Sequence, residues 1–256
     1  MLGAICGDII GSRFERFNYK GKDFDLFNES CRMTDDSILT LAVADAYMNN
    51  KDYCNTVVEY ARENPLAGYG GSFIAWVDSS DHKPYNSWGN GSAMRVSALS
   101  WLINDMETLM EEAKKSAEIT HNHPEGIKGA QAIAAAVFLA RHGKGKDEIK
   151  KYIEENFGYD LKRTVKFLQE TYQFDVSCQG SVPEAIICFL ESSDFEDCIR
   201  TSISIGGDSD TIASMSGAIS EAFYRKIPNE IISYSVKMIS KNKKYMEVFE
   251  QFRNRA

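Results

Sequence analysis

Two short acidic stretches hold the residue types with the most chemistry in them. One is Thr34, Asp35 and Asp36, in "RMTDDSILTLAVADA". The other is Asp208, Asp210 and Thr211, in "SIGGDSDTIASMSGAISEA". Part of each pattern is what a helix start demands. Thr and Asp accept hydrogen bonds from free backbone N–H groups, and acid suits the positive end of a helix dipole. Yet one side chain caps a helix, and each stretch supplies two carboxylates and a hydroxyl. Each also opens a helix of small residues: Ala42, Ala44 and Ala46 in one, Ala213, Gly217 and Ala218 in the other. Such helices can pack closely and bring the two groups together. Four buried carboxylates facing one another repel unless cations neutralise them. An all-oxygen ligand set suits Mg²⁺ or Mn²⁺, or Ca²⁺, rather than zinc or copper. Six ligands of this kind fit two divalent ions roughly 4 Å apart.

Familiar acidic motifs do not account for the pattern. A haloacid dehalogenase-type phosphatase needs D-x-D-x-T after a strand, and here the order is D-x-D-T. An EF-hand loop needs glutamate at its twelfth position; counted from Asp208, that position is Ile219. The "HNH" at His121 to His123 does not read as one metal site. Residues two apart point to opposite sides of a strand and roughly 200° apart on a helix. His123 is expected in a loop or as a helix cap.

The elements that must position these groups read as helices. "SILTLAVADAYM" sets Ile38, Leu41, Ala42 and Asp45 on one side. "GAQAIAAAVFLARHG" is an alanine-rich buried helix that Gly143 can end. "KDEIKKYIEENFG" and "LKRTVKFLQETY" are amphipathic and peripheral. In "SVPEAIICFLES", Ser181 or Val182 is expected as the cap, with Pro183 in the first turn. The segment from Pro228 to Arg255 predicts one long helix or two short ones. The only short β-branched alternation is "SISI", before Gly206, and four residues cannot establish a sheet. There are no repeats and no linker. The fold class expected is all-α: one domain, residues 1–256, of about ten helices. Two glycine-rich loops interrupt it, "GYGGSFIAW" (68–76) and "SWGNGSAMRV" (87–96), where backbone N–H groups can approach a ligand closely.

Composition narrows the function. With 29 basic against 37 acidic side chains, a net charge of -8 argues against a nucleic-acid partner held by counterion release. Six cysteines without a CxxC pair are expected to be free, reduced and buried, as in a cytoplasmic protein. The apolar start "MLGAICGDIIGS" is short, is interrupted by Asp8 and lacks a basic lead, so it is not expected to act as a signal peptide. No run approaches the ~20 apolar residues of a membrane span.

Taken in order, "GAICGDIIGSRFE", "MTDDSILTLAVADA", "GYGGSF", "GNGSAMRVSALSW", "ITHNHPEGIKGAQAIA", "SVPEAI" and "SIGGDSDTIASMSGAISEAFY" resemble the ADP-ribosylglycohydrolases. The resemblance covers about residues 1–225. The paired T-D-D and G-G-D-x-D-T-I-A motifs are far more specific together than either alone. It implies an orthogonal all-α bundle with a central cleft holding two divalent cations, Mg²⁺ or Mn²⁺. The ligands it implies are Thr34, Asp35, Asp36, Asp208, Asp210 and Thr211. Glu15 matches an acidic residue that approaches the scissile ribose. Gly70, Gly71, and Ser87, Trp88, Gly89, Asn90 and Gly91 match segments that hold ADP-ribose. His121 matches a histidine near the diphosphate, and Tyr85 and Trp88 match aromatic contacts to the nucleotide.

The reaction implied is hydrolysis of an N- or O-glycosidic bond between ADP-ribose and a protein side chain. Two cations would chelate the vicinal ribose hydroxyls and orient a water. Asp36 or Asp208, or the bridging water itself, would deliver the nucleophile, with Glu15 assisting the leaving group. The "GSRFE" and "GNGSAMR" segments lean toward the branch that cleaves serine- or O-linked ADP-ribose. The branch of the family that reactivates dinitrogenase reductase has a further catalytic aspartate between the first acidic motif and the G-N-G loop, and only Asp78 and Asp81 lie near its place. Two other readings use the same motifs: a protein that binds ADP-ribose without turnover, and a hydrolase of another small ADP-ribosyl compound. The expected partner is an ADP-ribosylated protein or a small ADP-ribosyl substrate, met by a cytoplasmic monomer.

Overall fold

A computed structural model of the chain describes residues 1–256. It contains fifteen α-helices and no strand. In order they are α1 (Leu2–Gly11), α2 (Asp35–Met48), α3 (Tyr53–Glu63), α4 (Gly71–Asp78) and α5 (Gly91–Met94). Then come α6 (Leu99–Leu102), α7 (Met106–Glu118), α8 (Pro124–Arg141), α9 (Lys146–Phe157) and α10 (Val165–Thr171). The last are α11 (Cys178–Glu191), α12 (Phe195–Ser204), α13 (Ser209–Tyr224), α14 (Asn229–Ile239) and α15 (Lys243–Arg253).

The centre of the bundle is α13, buried without interruption from Ser209 to Ser220. It packs on α1, α8, α11 and α12. Its closest neighbour is α1, and the reason lies in spacing. Gly3, Gly7 and Gly11 recur every four residues and so share one face. A Cβ on Gly7 would lie 2.0 Å from the Ala213 carbonyl oxygen, and one on Gly3 would lie 2.3 Å from that of Gly217. The two backbones are therefore in contact. The register is pinned where the Met1 amine and the Gly3 N–H both donate to Glu221 Oε2 at 2.8 Å. Residues from Met1 to Phe252 share one large apolar core, and a smaller cluster forms around Phe14, Phe195 and Ile199.

Several expectations are corrected. There are fifteen helices rather than about ten, partly because α5 and α6 are single turns of four residues. The "SVPEAI" helix starts earlier than expected. Ser177 is its cap, accepting from Gly180 N at 3.1 Å, and Pro183 lies inside α11. A serine with a free N–H in reach outweighs the positional preference of proline for the first turn. "SISI" is the end of α12, where neighbouring helices bury it on every side. "LKRTVKFLQETY" is helical only from Val165, capped by Thr164. The C-terminal segment is two helices, and Asn242 caps the second. Gly143, with φ +78°, follows the last residues of α8 as expected. The six cysteines are free, and all but Cys54 are buried.

Candidate active site

The N-termini of α2 and α13 meet. Thr34 caps α2, its Oγ1 accepting from Asp36 N at 3.3 Å. Thr211 Oγ1, in the first turn of α13, donates to Asp36 Oδ2 at 3.2 Å. Asp208 occupies the cap position of α13 but makes no side-chain cap. Its Oδ2 instead accepts from Asn90 Nδ2 at 2.7 Å. Capping therefore uses Thr34 and leaves the carboxylates of both stretches facing inward. The loop at Gly68, with φ +113°, lets the Ala67 carbonyl accept from Asp35 N at 3.2 Å and closes one side of the cluster.

Below them lies Asp8, fully buried in the middle of α1. Its Oδ1 accepts from Thr34 Oγ1 at 2.6 Å. Its Oδ2 accepts from Thr34 N at 2.9 Å, from Ser37 N at 3.1 Å and from Ser37 Oγ. Four donors hold this one carboxylate, three on Oδ2 and one on Oδ1. Asp8 thus fastens the start of α2 to α1 and holds the Thr34 to Asp36 turn in place.

No lysine, arginine or histidine forms a salt bridge with any of these acids. Burial, with Asp8 and the other carboxylates adding repulsion, pushes the Asp35 carboxyl up to about 8. Burial pushes Asp208 up to about 6, opposed by its bond from Asn90. Burial and the same repulsion hold Asp36 and Asp210 well above the usual carboxylate range. Oxygens of Asp8, Asp36 and Asp210 lie within 4.8 Å of one another, and Asp36 Oδ1 is buried without a hydrogen-bond partner. An orphaned buried carboxylate oxygen among like charges is what a divalent cation would satisfy. The donor set is all oxygen and buried, which is the kind that a hard divalent cation takes.

These groups floor a cavity of about 450 Å³. Contacts lead from Asp208 through Asn90 to Gly89 and Gly91, and from there to His121. The other walls include Gly70, Gly71, Phe73, Tyr85 and Ser87, with Phe174 and Val176 also lining it. Burial and the nearby charge of Arg95 hold His121 well below its usual range, so the ring is neutral.

The family model for ADP-ribosylglycohydrolases matches residues 1–246. The chain belongs to the ADP-ribosylglycohydrolase family. It is similar to the ADP-ribosylhydrolase ARH3 of Homo sapiens, at 27% identity over 304 aligned residues, covering 88% of this chain and 84% of the relative. It is also similar to the ADP-ribosylarginine hydrolase Tri1 of Pseudomonas putida, at 22% identity, covering 88% of this chain and 69% of the relative. A chain of a solved "ADP-ribosylglycohydrolase-related protein complex" superposes with a TM-score of 0.71 at 19% identity. That match covers 99% of this chain and 96% of the other, and it shows the shared fold.

In this member of the family, all six candidate ligands line the cavity: Thr34, Asp35, Asp36, Asp208, Asp210 and Thr211. So does Glu15. Gly70, Gly71, Tyr85, Ser87, Gly89, Asn90, Gly91 and His121 line it as well. Trp88 does not. Its ring is 52% exposed and stands edge-on to His123 at 5.6 Å. The cause is the turn at Ser87 to Gly89, closed by Gly89 N donating to Ser87 Oγ, while the Trp88 carbonyl accepts from Cys178 N. Asp78 and Asp81 are exposed and lie outside the cavity lining. His123 caps α8, its Nδ1 accepting from Glu125 N at 3.1 Å.

Sequence reasoning missed Asp8, Arg95, Phe174 and Val176. For Asp8 a signal existed, since a carboxylate inside the apolar run "GAICGDIIG" must be buried and must find donors. For Phe174 and Val176 there was none: a loop between two helices does not say which cavity it borders.

Proposed function

We propose that this chain hydrolyses the glycosidic bond between ADP-ribose and a modified protein side chain, N- or O-linked, and releases ADP-ribose. One observation supports this most: a single cavity joins a carboxylate and hydroxyl cluster to two glycine-lined loops and a neutral histidine. The similarity to an ADP-ribosylarginine hydrolase and to ADP-ribosylhydrolases supports an ADP-ribosyl substrate. Cavities of this size hold ligands of nucleotide scale.

Thr34, Asp35, Asp36, Asp208, Asp210 and Thr211 would hold two divalent cations, Mg²⁺ or Mn²⁺. Such ions would neutralise the carboxylates and supply Lewis-acid chemistry to the ribose and to a water. The chain's own groups do the rest. Asp36 or Asp208 would accept the proton of the attacking water, both carboxylates lining the same cavity. Asn90 fixes the Asp208 carboxylate for that role. Glu15, half-buried in the lining, assists departure of the acceptor side chain from an oxocarbenium-like transition state. At Gly70 and Gly71 nothing lies within 4 Å of where a Cβ would stand, so their backbone is open to the ligand. Tyr85, Phe174 and Val176 offer apolar surface to a base.

We take the chain as one domain, residues 1–256, because both ends enter one core. The excess of acid supports a partner other than nucleic acid, and six free cysteines support a cytoplasmic location; we take the chain as a monomer. No helix is long and apolar enough to cross a membrane.

The test is a panel of arginine-, serine- and DNA-linked ADP-ribose and an acetylated ADP-ribose, each with Mg²⁺ or Mn²⁺. Release of ADP-ribose from a protein linkage is expected. Thermal stabilisation by ADP-ribose with no release from any substrate would make this a binding protein. Release from the small ester alone would reassign the substrate class.

A further inference from the structure

Thr120 stands between two buried side chains. Its Oγ1 accepts from Arg95 Nη2 at 2.9 Å and lies 2.7 Å from His121 Nδ1. Arg95 has no exposed surface, and the same Nη2 also donates to the Ser116 carbonyl at 2.9 Å. A guanidinium only donates, so the Thr120 oxygen must be the acceptor in the first bond. The hydroxyl then has one proton to place. The neighbouring acceptor is His121 Nδ1.

The opposite assignment fails on hydrogen-bond grounds. If Nδ1 carried the proton, Thr120 Oγ1 would accept twice and its own buried hydrogen would be left unpaired. A neutral imidazole has one N–H, so that hydrogen sits on Nε2. Nε2 borders the cavity. A Cβ on Gly91 would stand 3.1 Å from it, and one on Gly89 would stand 3.4 Å away. Those two glycines keep the space before the donor clear.

Charge decides what would fill that space. The charged side chains lining the cavity are Glu15, Asp35, Asp36, Asp208, Asp210 and Arg95. Arg95 is the one cation among them, and it stands behind His121 with Nε and Nη1 free of partners. An anionic part of a ligand is therefore drawn to the His121 side and repelled from the carboxylates.

We propose that Arg95 and Thr120 are positioning residues that lock His121 as a neutral Nε2–H donor for the diphosphate of ADP-ribose. This rests on the function proposed above for its ligand, but the tautomer lock belongs to the ligand-free protein. The relay gives the cavity a polar donor whose direction is fixed before substrate arrives, with the positive charge held one side chain back.

Two measurements test it. Long-range ¹H–¹⁵N correlations of the imidazoles in the ligand-free chain, assigned with His121→Gln, report which nitrogen is protonated. Nε2–H is expected; Nδ1–H would overturn the relay. Calorimetric titration with ADP-ribose is then compared between the wild type, Thr120→Val and Thr120→Ser. The valine variant is expected to lose about 10-fold in affinity, the worth of one hydrogen bond to a charged group. KM should rise more than kcat falls, and serine should restore the tautomer and the affinity. Unchanged binding by Thr120→Val would overturn the relay. If the wild type does not bind ADP-ribose at all, the proposed function fails, and the ligand-free tautomer still decides the lock.

Discussion

Thr211 Oγ1 donates to Asp36 Oδ2 at 3.2 Å, across 175 residues of chain. This bond joins the two acidic stretches into one cluster. It also shows that both hydroxyls are engaged: Thr34 donates to Asp8 and Thr211 donates to Asp36, so each threonine ties its own stretch to a carboxylate of another helix. Four expectations follow from this arrangement and its supports.

Asp208→Ala and Asp210→Ala should each reduce release of ADP-ribose by at least about 100-fold, since outer-shell changes alone cost roughly 10–100-fold at metal sites. Mn²⁺ or Mg²⁺ at about 100 times its dissociation constant should stabilise the wild type by about 2.7 kcal/mol. That shift should vanish in Asp210→Ala and on chelation. Unchanged turnover and an unchanged thermal shift would remove the cation from this site.

Asp8→Asn keeps the shape of the side chain but turns one acceptor oxygen into a donor that faces Thr34 or Ser37. The start of α2 should loosen, and cation affinity should fall about 10–100-fold, with the fold retained. Calorimetric cation titration and circular dichroism together check this. Loss of the fold without cation would instead make Asp8 a purely structural group.

Gly7→Ala sets two opposed effects against each other. Alanine in a helix is favoured over glycine by about 1 kcal/mol. Yet its Cβ would meet the Ala213 carbonyl oxygen at 2.0 Å, a backbone atom that cannot swing away. Overpacking of this kind costs about 1–3 kcal/mol, so a net loss of stability is expected. Because α13 must shift, cation affinity should fall too. A melting temperature at or above that of the wild type would show that α1 and α13 do not touch as described.

His121 gives a pH signature. In the fold its pKa lies well below 6.5, from burial and then Arg95, while unfolded chain takes up a proton near 6.5. The unfolded state therefore binds more protons just below that value, so stability falls as pH drops from 6.5 toward the folded pKa. Above 6.5 the contribution is constant. The difference in unfolding free energy between wild type and His121→Gln should thus be flat from pH 7 to 8. It should then decline on acidification, with a limiting slope of about 1.4 kcal/mol per pH unit. Denaturant titrations at several pH values read it, and a flat difference down to pH 5 would place a charged ring in the fold.

Much of the site was legible because ligand chemistry is written in residue type. Two carboxylates and a hydroxyl exceed what a helix cap uses, and Asp208 makes no cap. The glycine loops were legible for a similar reason, since glycine ahead of a helix marks backbone that something must approach. The start of α11 was misplaced because Ser177 and Ser181 are chemically alike, and only the position of Gly180 N decides between them. Trp88 lies outside the cavity lining because its motif says that the segment borders the cavity, not which way one ring turns.

What the sequence determined by itself is the inventory: an all-helical chain, two matched acidic groups, and glycines where backbones must come close. Periodicity and composition are local properties, and they survive in one dimension. What only the tertiary structure decided is who faces whom. The contact of Gly7 with Ala213 sets the register of α1 on α13, and the bonds of Asp8 seat α2 on α1. Together they put oxygens of Asp8, Asp36 and Asp210 within 4.8 Å of one another. Arg95 and Thr120 set the direction of the His121 donor in the same way. Distances between side chains far apart in sequence follow from close packing of the whole core, and no local pattern encodes them.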